Sequence, residues 1–322
     1  MDKHGRRISY LRLSVTDLCN LRCQYCMPAE GVSKLHHREI LSFEDQLRIA
    51  RAAVSLGITK IRVTGGEPLV RPGVTSFLER VGAIDGLKEL ALTTNGVLLR
   101  QMAFDLRRAG VDRLNVSLDS LNPATFALLT RGGALDKTLD GIAAACEAGF
   151  PPVKINVVVI RGINDSELLD FAALTLHRPH QIRFIEYMPT NNAFDGPAAL
   201  VRGEEILERI ARVYPLRPVP VSKTSGPAQV YRIPLAKGTL GVITPVSNHF
   251  CATCNRIRVT AQGEMKSCLF DGGGISLKPY LERGDEALRE AMMGILRNKP
   301  EGHRLHDETQ LLPLFSMSQV GG

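Results

Sequence analysis

The stretch CNLRCQYC, residues 19–26, places three of the chain's seven cysteines within eight positions, spaced Cys-x3-Cys-x2-Cys. Thiols crowded in this way act as metal ligands or as redox pairs. Four chemistries compete for Cys19, Cys23 and Cys26. A disulfide suits an oxidising compartment, which nothing else in the sequence suggests. A thioredoxin-like pair would use CQYC alone and leave Cys19 idle. A structural zinc site needs a fourth ligand, for which His36 or His37 could serve. An iron–sulfur cluster is held by cysteine thiolates, usually four, and a set of three leaves one iron open to a ligand from outside the chain.

Two further stretches bear on that choice. In VTGGEPLV, residues 63–70, Gly65 and Gly66 allow close approach of backbone to a ligand, with the Glu67 carboxylate beside them. Taken alone, GGEP reads as a strand-to-helix turn with Pro68 near the helix start. HFCATCNRIRVTAQGEMKSCLF gathers Cys251, Cys254 and Cys268, spaced Cys-x2-Cys-x13-Cys. Here spacing alone favours zinc, with His249 as the fourth ligand. Yet Arg256 and Arg258 alternate onto one side of a short strand beside these thiols. Two guanidinium forks next to a metal centre suit a phosphate or nucleotide ligand.

The elements that must position these residues are legible in the hydrophobic pattern. Strands are expected at 11–17, 60–65, 89–95, 113–119, 153–160 and 181–186, with helices between them at 43–57, 74–84, 98–110, 135–149 and 165–176. Strands alternating with helices predict βαβ units and a parallel sheet. Six units fall short of the eight that close a full barrel. The fold class is therefore α/β, an incomplete (βα)6 TIM-type barrel. The alternation fades after residue 190, and a C-terminal module is expected to begin between the loops NNAFDGPAAL and SKTSGPAQV. The division is placed at 1–220 and 221–322.

The strands do not read as the continuous apolar runs of a sheet buried on both faces. Arg12, Ser14 and Thr16 alternate with Leu11, Leu13 and Val15; Arg62 and Thr64 with Ile61 and Val63. Thr93, Asn95, Asn115, Ser117, Lys154 and Asn156 alternate with apolar neighbours in the same way. A side-chain period of two gives each strand one polar and one apolar face. With helices on the apolar faces, the polar faces line a shared, solvated interior suited to an anion such as a nucleoside triphosphate. The alternative is an open sheet wet on one side.

Composition bounds the rest. The 322 residues are 44% hydrophobic, and 40 Lys and Arg exceed 33 Asp and Glu to give a net charge of +7. No run of five like charges and no recognition motif points to nucleic acid. No apolar run approaches the roughly 20 residues of a membrane helix. The basic start MDKHGRRISYLRLS has no apolar stretch of the secretory kind, so a cytoplasmic protein is expected. Cys146, within AAACEAG, reads as a buried apolar thiol, and His303 and His306 read as surface residues.

Taken together, the first cysteine stretch and GGEP resemble the radical S-adenosylmethionine (radical SAM) superfamily. LRLSVTDLCNLRCQYC, IRVTGGEPLVR, LTTNG, NVSLDSL, RFIEYM, SGPAQVYR, FCATCNRIRVT and the terminal GG resemble, more narrowly, the GTP 3′,8-cyclase family of molybdenum cofactor (molybdopterin) biosynthesis. The resemblance implies two 4Fe-4S clusters: a catalytic one on Cys19, Cys23 and Cys26, and an auxiliary one on Cys251, Cys254 and Cys268 in the C-terminal iron–sulfur module. It implies S-adenosylmethionine at Tyr25, Gly66, Ser117 and Met188. It implies GTP among Arg12, Arg62, Thr93, Lys154, Arg256, Ile257 and Arg258, with Arg256 and Arg258 counted as catalytic. The implied reaction splits S-adenosylmethionine to a 5′-deoxyadenosyl radical, which takes the ribose 3′ hydrogen of GTP before ring closure onto guanine carbon 8. An electron donor, the downstream cyclic pyranopterin monophosphate synthase and a homodimer follow as implied partners, with the Gly-Gly end reaching into the site. Two other readings are a different twin-cluster radical SAM enzyme, such as a peptide maturase, and a zinc-stabilised phosphate-binding module without catalysis.

Overall fold

The structure is a computed structural model and describes residues 1–32, 38–190, 193–194, 196–220, 226–270, 273–302 and 317–320. His36, His37, His303, His306, Gly321 and Gly322 lie outside the described residues. The first two-thirds of the chain repeats strand and helix. It runs β1 (Tyr10–Ser14), α1 (Phe43–Ser55), β2 (Lys60–Thr64), α2 (Val74–Gly82), β3 (Glu89–Thr94), α3 (Leu99–Arg108) and β4 (Arg113–Ser117). It continues through α4 (Pro123–Thr130), α5 (Leu135–Glu147), β5 (Lys154–Val159), α6 (Leu168–His177) and β6 (Gln181–Glu186). Each expected strand and helix is present, with ends displaced by a few residues.

Local chemistry explains the boundaries. The Ser42 side chain caps α1 by accepting from the Asp45 amide, and the helix buries Gln46, Leu47, Ile49, Ala50 and Ala53 along one stripe. Asn122 caps α4 in front of Pro123, whose missing N–H costs nothing in the first turn. On α5 the buried stripe is Thr138, Gly141, Ile142, Ala144 and Ala145. Cys146 falls just beyond that stripe and is exposed, contrary to the burial expected for it.

The alternation does not end at residue 190. An amphipathic helix, α7 (Gly203–Ala211), follows β6 and buries Ile206 and Ile210. After it come β7 (Arg217–Pro218), β8 (Gln229–Arg232), β9 (Thr239–Ile243), β10 (Arg256–Val259), β11 (Glu264–Lys266) and β12 (Ile275–Ser276). Helices α8 (Lys278–Arg283), α9 (Asp285–Arg297) and α10 (Met317–Val320) complete the chain. Strand order is β12-β11-β10-β1-β2-β3-β4-β5-β6-β9-β8-β7. Both β9 and β10 add in parallel, β9 beside β6 and β10 beside β1. The C-terminal third thus extends both edges of the partial barrel, and β7 and β12 end the sheet without pairing to each other. No helix among the described residues is long and apolar enough to cross a membrane.

The apolar strand faces pack under the helices: Leu11, Leu13, Ile61, Val63, Leu92, Val116, Ile155 and Val157 share one core with Phe77, Leu106 and Phe171. Phe77 stacks on Phe43 with centroids 4.6 Å apart, and the Arg71 guanidinium lies 3.9 Å over Phe43. Deleting the Phe77 ring would leave a cavity that the helices cannot collapse to fill. Phe77→Ala is expected to cost about 3–5 kcal/mol, read as a lower urea midpoint at unchanged slope. A loss under about 1 kcal/mol would contradict this placement of the core.

Candidate active site

The polar strand faces meet in a cavity of about 310 Å³ whose wall includes Cys19, Cys23 and Cys26 and also Cys251, Cys254 and Cys268. Register locates each trio. Cys19 follows the C-terminal end of β1. Cys251 and Cys254 precede β10, which runs parallel to β1 with Tyr10 beside Arg256. The trios therefore bracket the cavity along the strand direction. The long gap before Cys268 is a hairpin: β11 returns antiparallel, with Lys266 beside Arg258, and delivers Cys268 to the end where Cys254 sits.

The first trio is held by close backbone packing. The Gly66 amide donates to the Thr16 carbonyl at 2.8 Å, and the Glu67 amide to the Leu18 carbonyl at 2.8 Å. A Cβ on Gly66 would stand 2.4 Å from the Leu18 carbonyl oxygen, so only glycine lets the GGEP turn press against the segment leading to Cys19. Glu67 does not present a free carboxylate. It accepts from the Thr94 hydroxyl at 2.8 Å and from the amides of Asn95 at 2.7 Å and Leu69 at 3.1 Å, tying the end of β2 to that of β3. Burial nonetheless lifts its carboxyl to about 7. Tyr25 donates its hydroxyl to Asp119 at 2.7 Å, and burial raises the Asp119 carboxyl to about 6.

The donor set suits a cluster. Cys19 Sγ accepts from the Leu21 amide at 3.3 Å and Asn95 Nδ2 at 3.8 Å. Cys26 Sγ accepts from the Ser318 amide, and the Cys26 carbonyl from the Met317 amide at 2.9 Å. Amide-to-sulfur hydrogen bonds of this kind orient and tune metal-bound thiolates. Burial pushes the Cys19 thiol up to about 11 and Cys26 up to about 12, and Cys19 adds its repulsion at Cys26. A cationic centre bound to all three sulfurs would relieve that repulsion. Among the described residues no three His, Cys, Asp or Glu side chains converge closely enough to hold one metal ion. The trios ring the cavity wall instead.

Between the trios the wall is basic. Arg258 on β10, Arg12 on β1 and Arg62 on β2 are lateral neighbours across three strands, roughly 4.8 Å apart. Lys60, Lys154, Arg183, Arg256 and Lys299 join them, against one carboxylate among the described residues of the wall, Asp119. Burial and the neighbouring cations depress Arg12, Lys154, Arg183 and Arg258. Lys154 falls to about 7, through burial first and then Arg183, Lys60 and Arg62. Arg183 and Arg258 each fall to about 10, for burial and the arginine beside each. The same cations outweigh burial at Tyr10, whose hydroxyl falls to about 8. Arg62 reaches the Thr93 hydroxyl at 3.4 Å, while its Nε, buried, has no partner. Such a concentration of like charge calls for a polyanion. Around the second trio burial opposes ionisation of Cys254, but Arg256 and Lys299 bring that thiol down to about 7.

Of the residues expected at the site, Arg12, Tyr25, Arg62, Gly66, Thr93, Ser117, Lys154, Met188, Arg256 and Arg258 all lie on this wall, as does His249. Ile257 alternates to the other face of β10 and is fully buried in the core, so any part it plays rests with its backbone. Lys60 and Arg183 went unread, although extending the same period-two rows to the ends of β2 and β6 finds them. Lys299, Met317 and Ser318 come from segments without strand periodicity, and only folding brings them to the cavity.

Comparison with known proteins agrees with this geometry. The Radical SAM superfamily model matches residues 13–175, and Molybdenum Cofactor Synthesis C matches residues 180–305. The chain is 58% identical to the GTP 3′,8-cyclase of Geobacter sulfurreducens, over 100% of this chain and 99% of the relative. It is 46% identical to that of Moorella thermoacetica and 44% to that of Alkaliphilus oremlandii, again over 100% of this chain and 99% of each. Among solved structures, Streptococcus suis SuiB bound to precursor peptide SuiA superimposes with a TM-score of 0.66 at 14% identity, over 97% of this chain and 76% of SuiB. SuiB bound to S-adenosylmethionine gives 0.64 at 14% identity, over 92% and 67%. These two likenesses speak for the fold. On sequence identity along its whole length, the chain belongs to the GTP 3′,8-cyclase family of the radical SAM superfamily.

Proposed function

We propose that this chain is a radical SAM cyclase that converts GTP to (8S)-3′,8-cyclo-7,8-dihydroguanosine 5′-triphosphate in molybdopterin biosynthesis. One cationic cavity bounded at opposite ends by two cysteine trios carries the proposal. Each trio offers three thiols to a 4Fe-4S cluster and leaves one iron for a small molecule. When bound, the first cluster and S-adenosylmethionine supply the one-electron cleavage chemistry that removes the ribose 3′ hydrogen.

The chain's own residues bind and orient. Tyr25, Gly66, Ser117 and Met188 line the end of the cavity where S-adenosylmethionine belongs. The row Arg258, Arg12 and Arg62, with Lys154, meets the triphosphate, which carries about four negative charges. Arg256 and Arg258 lie beside the second trio, where the guanine would sit, and Thr93 bonds Arg62. Residues 221–322 act as the auxiliary-cluster module. An external electron donor, the downstream pyranopterin synthase, a homodimer and a cytoplasmic setting belong to the same proposal.

Incubating the anaerobically reduced protein with S-adenosylmethionine and GTP is expected to yield 5′-deoxyadenosine and a cyclised guanosine triphosphate. Colourless protein that contains zinc and yields neither would support the non-catalytic module instead. Lys154→Ala is expected to weaken GTP binding about 10- to 100-fold, the worth of a charged hydrogen bond, with iron content unchanged. Iron lost along with affinity would contradict the assignment. Because the protonated ammonium binds the anion and its pKa in the free protein is about 7, affinity should be full below pH 7 and fall as pH rises through that value. Lys154→Arg should flatten the dependence, as calorimetric titrations across pH would record. Cys268→Ser is expected to keep S-adenosylmethionine binding and lose cyclisation. Normal cyclisation in that variant would remove the second trio from the reaction.

A further inference from the structure

We propose that Lys299 is the buried counter-ion of the second cysteine trio, a positioning residue that holds the thiolates and raises the reduction potential of the iron–sulfur centre they carry. It rests on the two-cluster function proposed above. Lys299 is only 2% exposed. A buried ammonium is costly unless an anion and hydrogen bonds compensate it. Among the described residues no carboxylate pairs with it. Its Nζ donates instead to the carbonyl of Ser267, the residue before Cys268. Its electrostatic neighbours of opposite sign are the thiols of Cys254 and Cys268.

A second buried cation fixes the backbone around it. Arg6 donates to the carbonyl oxygens of Cys251 at 2.8 Å, Lys299 at 3.2 Å, Pro300 at 2.6 Å and Glu301 at 2.9 Å, while its Nε bonds Asp2 at 2.6 Å. Arg6 thus clamps the segment that carries Lys299 onto the segment that carries Cys251. The other trio has the opposite surroundings, since carboxylates bear on it: Glu67 on Cys19, and Asp119 on Cys23 and Cys26. Uptake of one electron makes a thiolate-held cluster more negative, and an adjacent cation favours the reduced state. Lys299 therefore biases electrons toward the second centre without touching the first.

The test compares reconstituted wild type, Lys299→Met and Lys299→Arg by iron per chain and by electron paramagnetic resonance during dithionite titration. The first centre is identified by the shift of its signal on adding S-adenosylmethionine. Lys299→Met is expected to lower the second midpoint by a tenfold change in the one-electron equilibrium, about 59 mV. Lys299→Arg should stay at the wild-type value, and the first midpoint should not move in either variant. Loss of the second centre in Lys299→Met with retention in Lys299→Arg would equally show that a cation is required. An unchanged second midpoint in Lys299→Met, an equal shift in both centres, or loss of the second centre in both variants overturns the proposal. A wild type that shows one centre refutes the two-cluster function itself, and this proposal with it.

Discussion

Everything in this structure turns on a row of positive charge that the fold sets side by side within its sheet. Arg258, Arg12 and Arg62 stand side by side on three adjacent parallel strands, inside a barrel that ordinarily packs its centre with aliphatic side chains. Neighbouring like charges on one sheet face oppose folding, and burial adds to the cost. The chain tolerates this because the apolar faces of the same strands build a continuous core beneath the helices. Such a row suits a ligand carrying several negative charges.

The two sides of that row, along the strand direction, differ in kind. Toward the C-terminal end of β1, the first trio sits among Glu67, Asp119, Tyr25 and backbone packed so tightly that Gly66 has no room for a side chain. Toward the other end, the second trio sits among Arg256, Lys299 and the Arg6 clamp. Under the proposed function, the nucleotide between them meets its polycationic partner in the middle and a cysteine trio on either side. The segment Met317–Val320 closes over the chamber, with its amides on Cys26 and its Val320 carbonyl accepting from Arg258 at 3.4 Å. One short stretch of chain thereby touches the first trio and the arginine row together.

Much of this was legible in the sequence because the informative patterns are local. Alternation with period two in β1 to β5 announced a polar interior, and the cavity wall carries those residues apart from Ser14 and Thr16. The cysteine spacings with GGEP and CNRIR marked the two trios that the cavity brings together. Long-range pairing was not legible. Nothing local says that TLGVI will join β6 and RIRV will join β1, so the sheet was expected to end at six strands. Ile257 was expected at the site from the family resemblance, although alternation turns its side chain into the core. Lys299 and Arg6 carry no motif, and their importance comes from burial against distant carbonyls. Cys146 read as buried from its alanine-rich context, yet it lies one position past the packed stripe of α5.

The central claim is that a single chamber holds the ribose of GTP against the first centre while the second centre grips the base. Turnover of GTP deuterated at the ribose 3′ carbon tests this most directly, with mass spectrometry of the 5′-deoxyadenosine released. The account predicts one deuterium transferred to 5′-deoxyadenosine in step with cyclised product. 5′-Deoxyadenosine formed without deuterium would contradict it, because the ribose would then lie elsewhere than the chamber described.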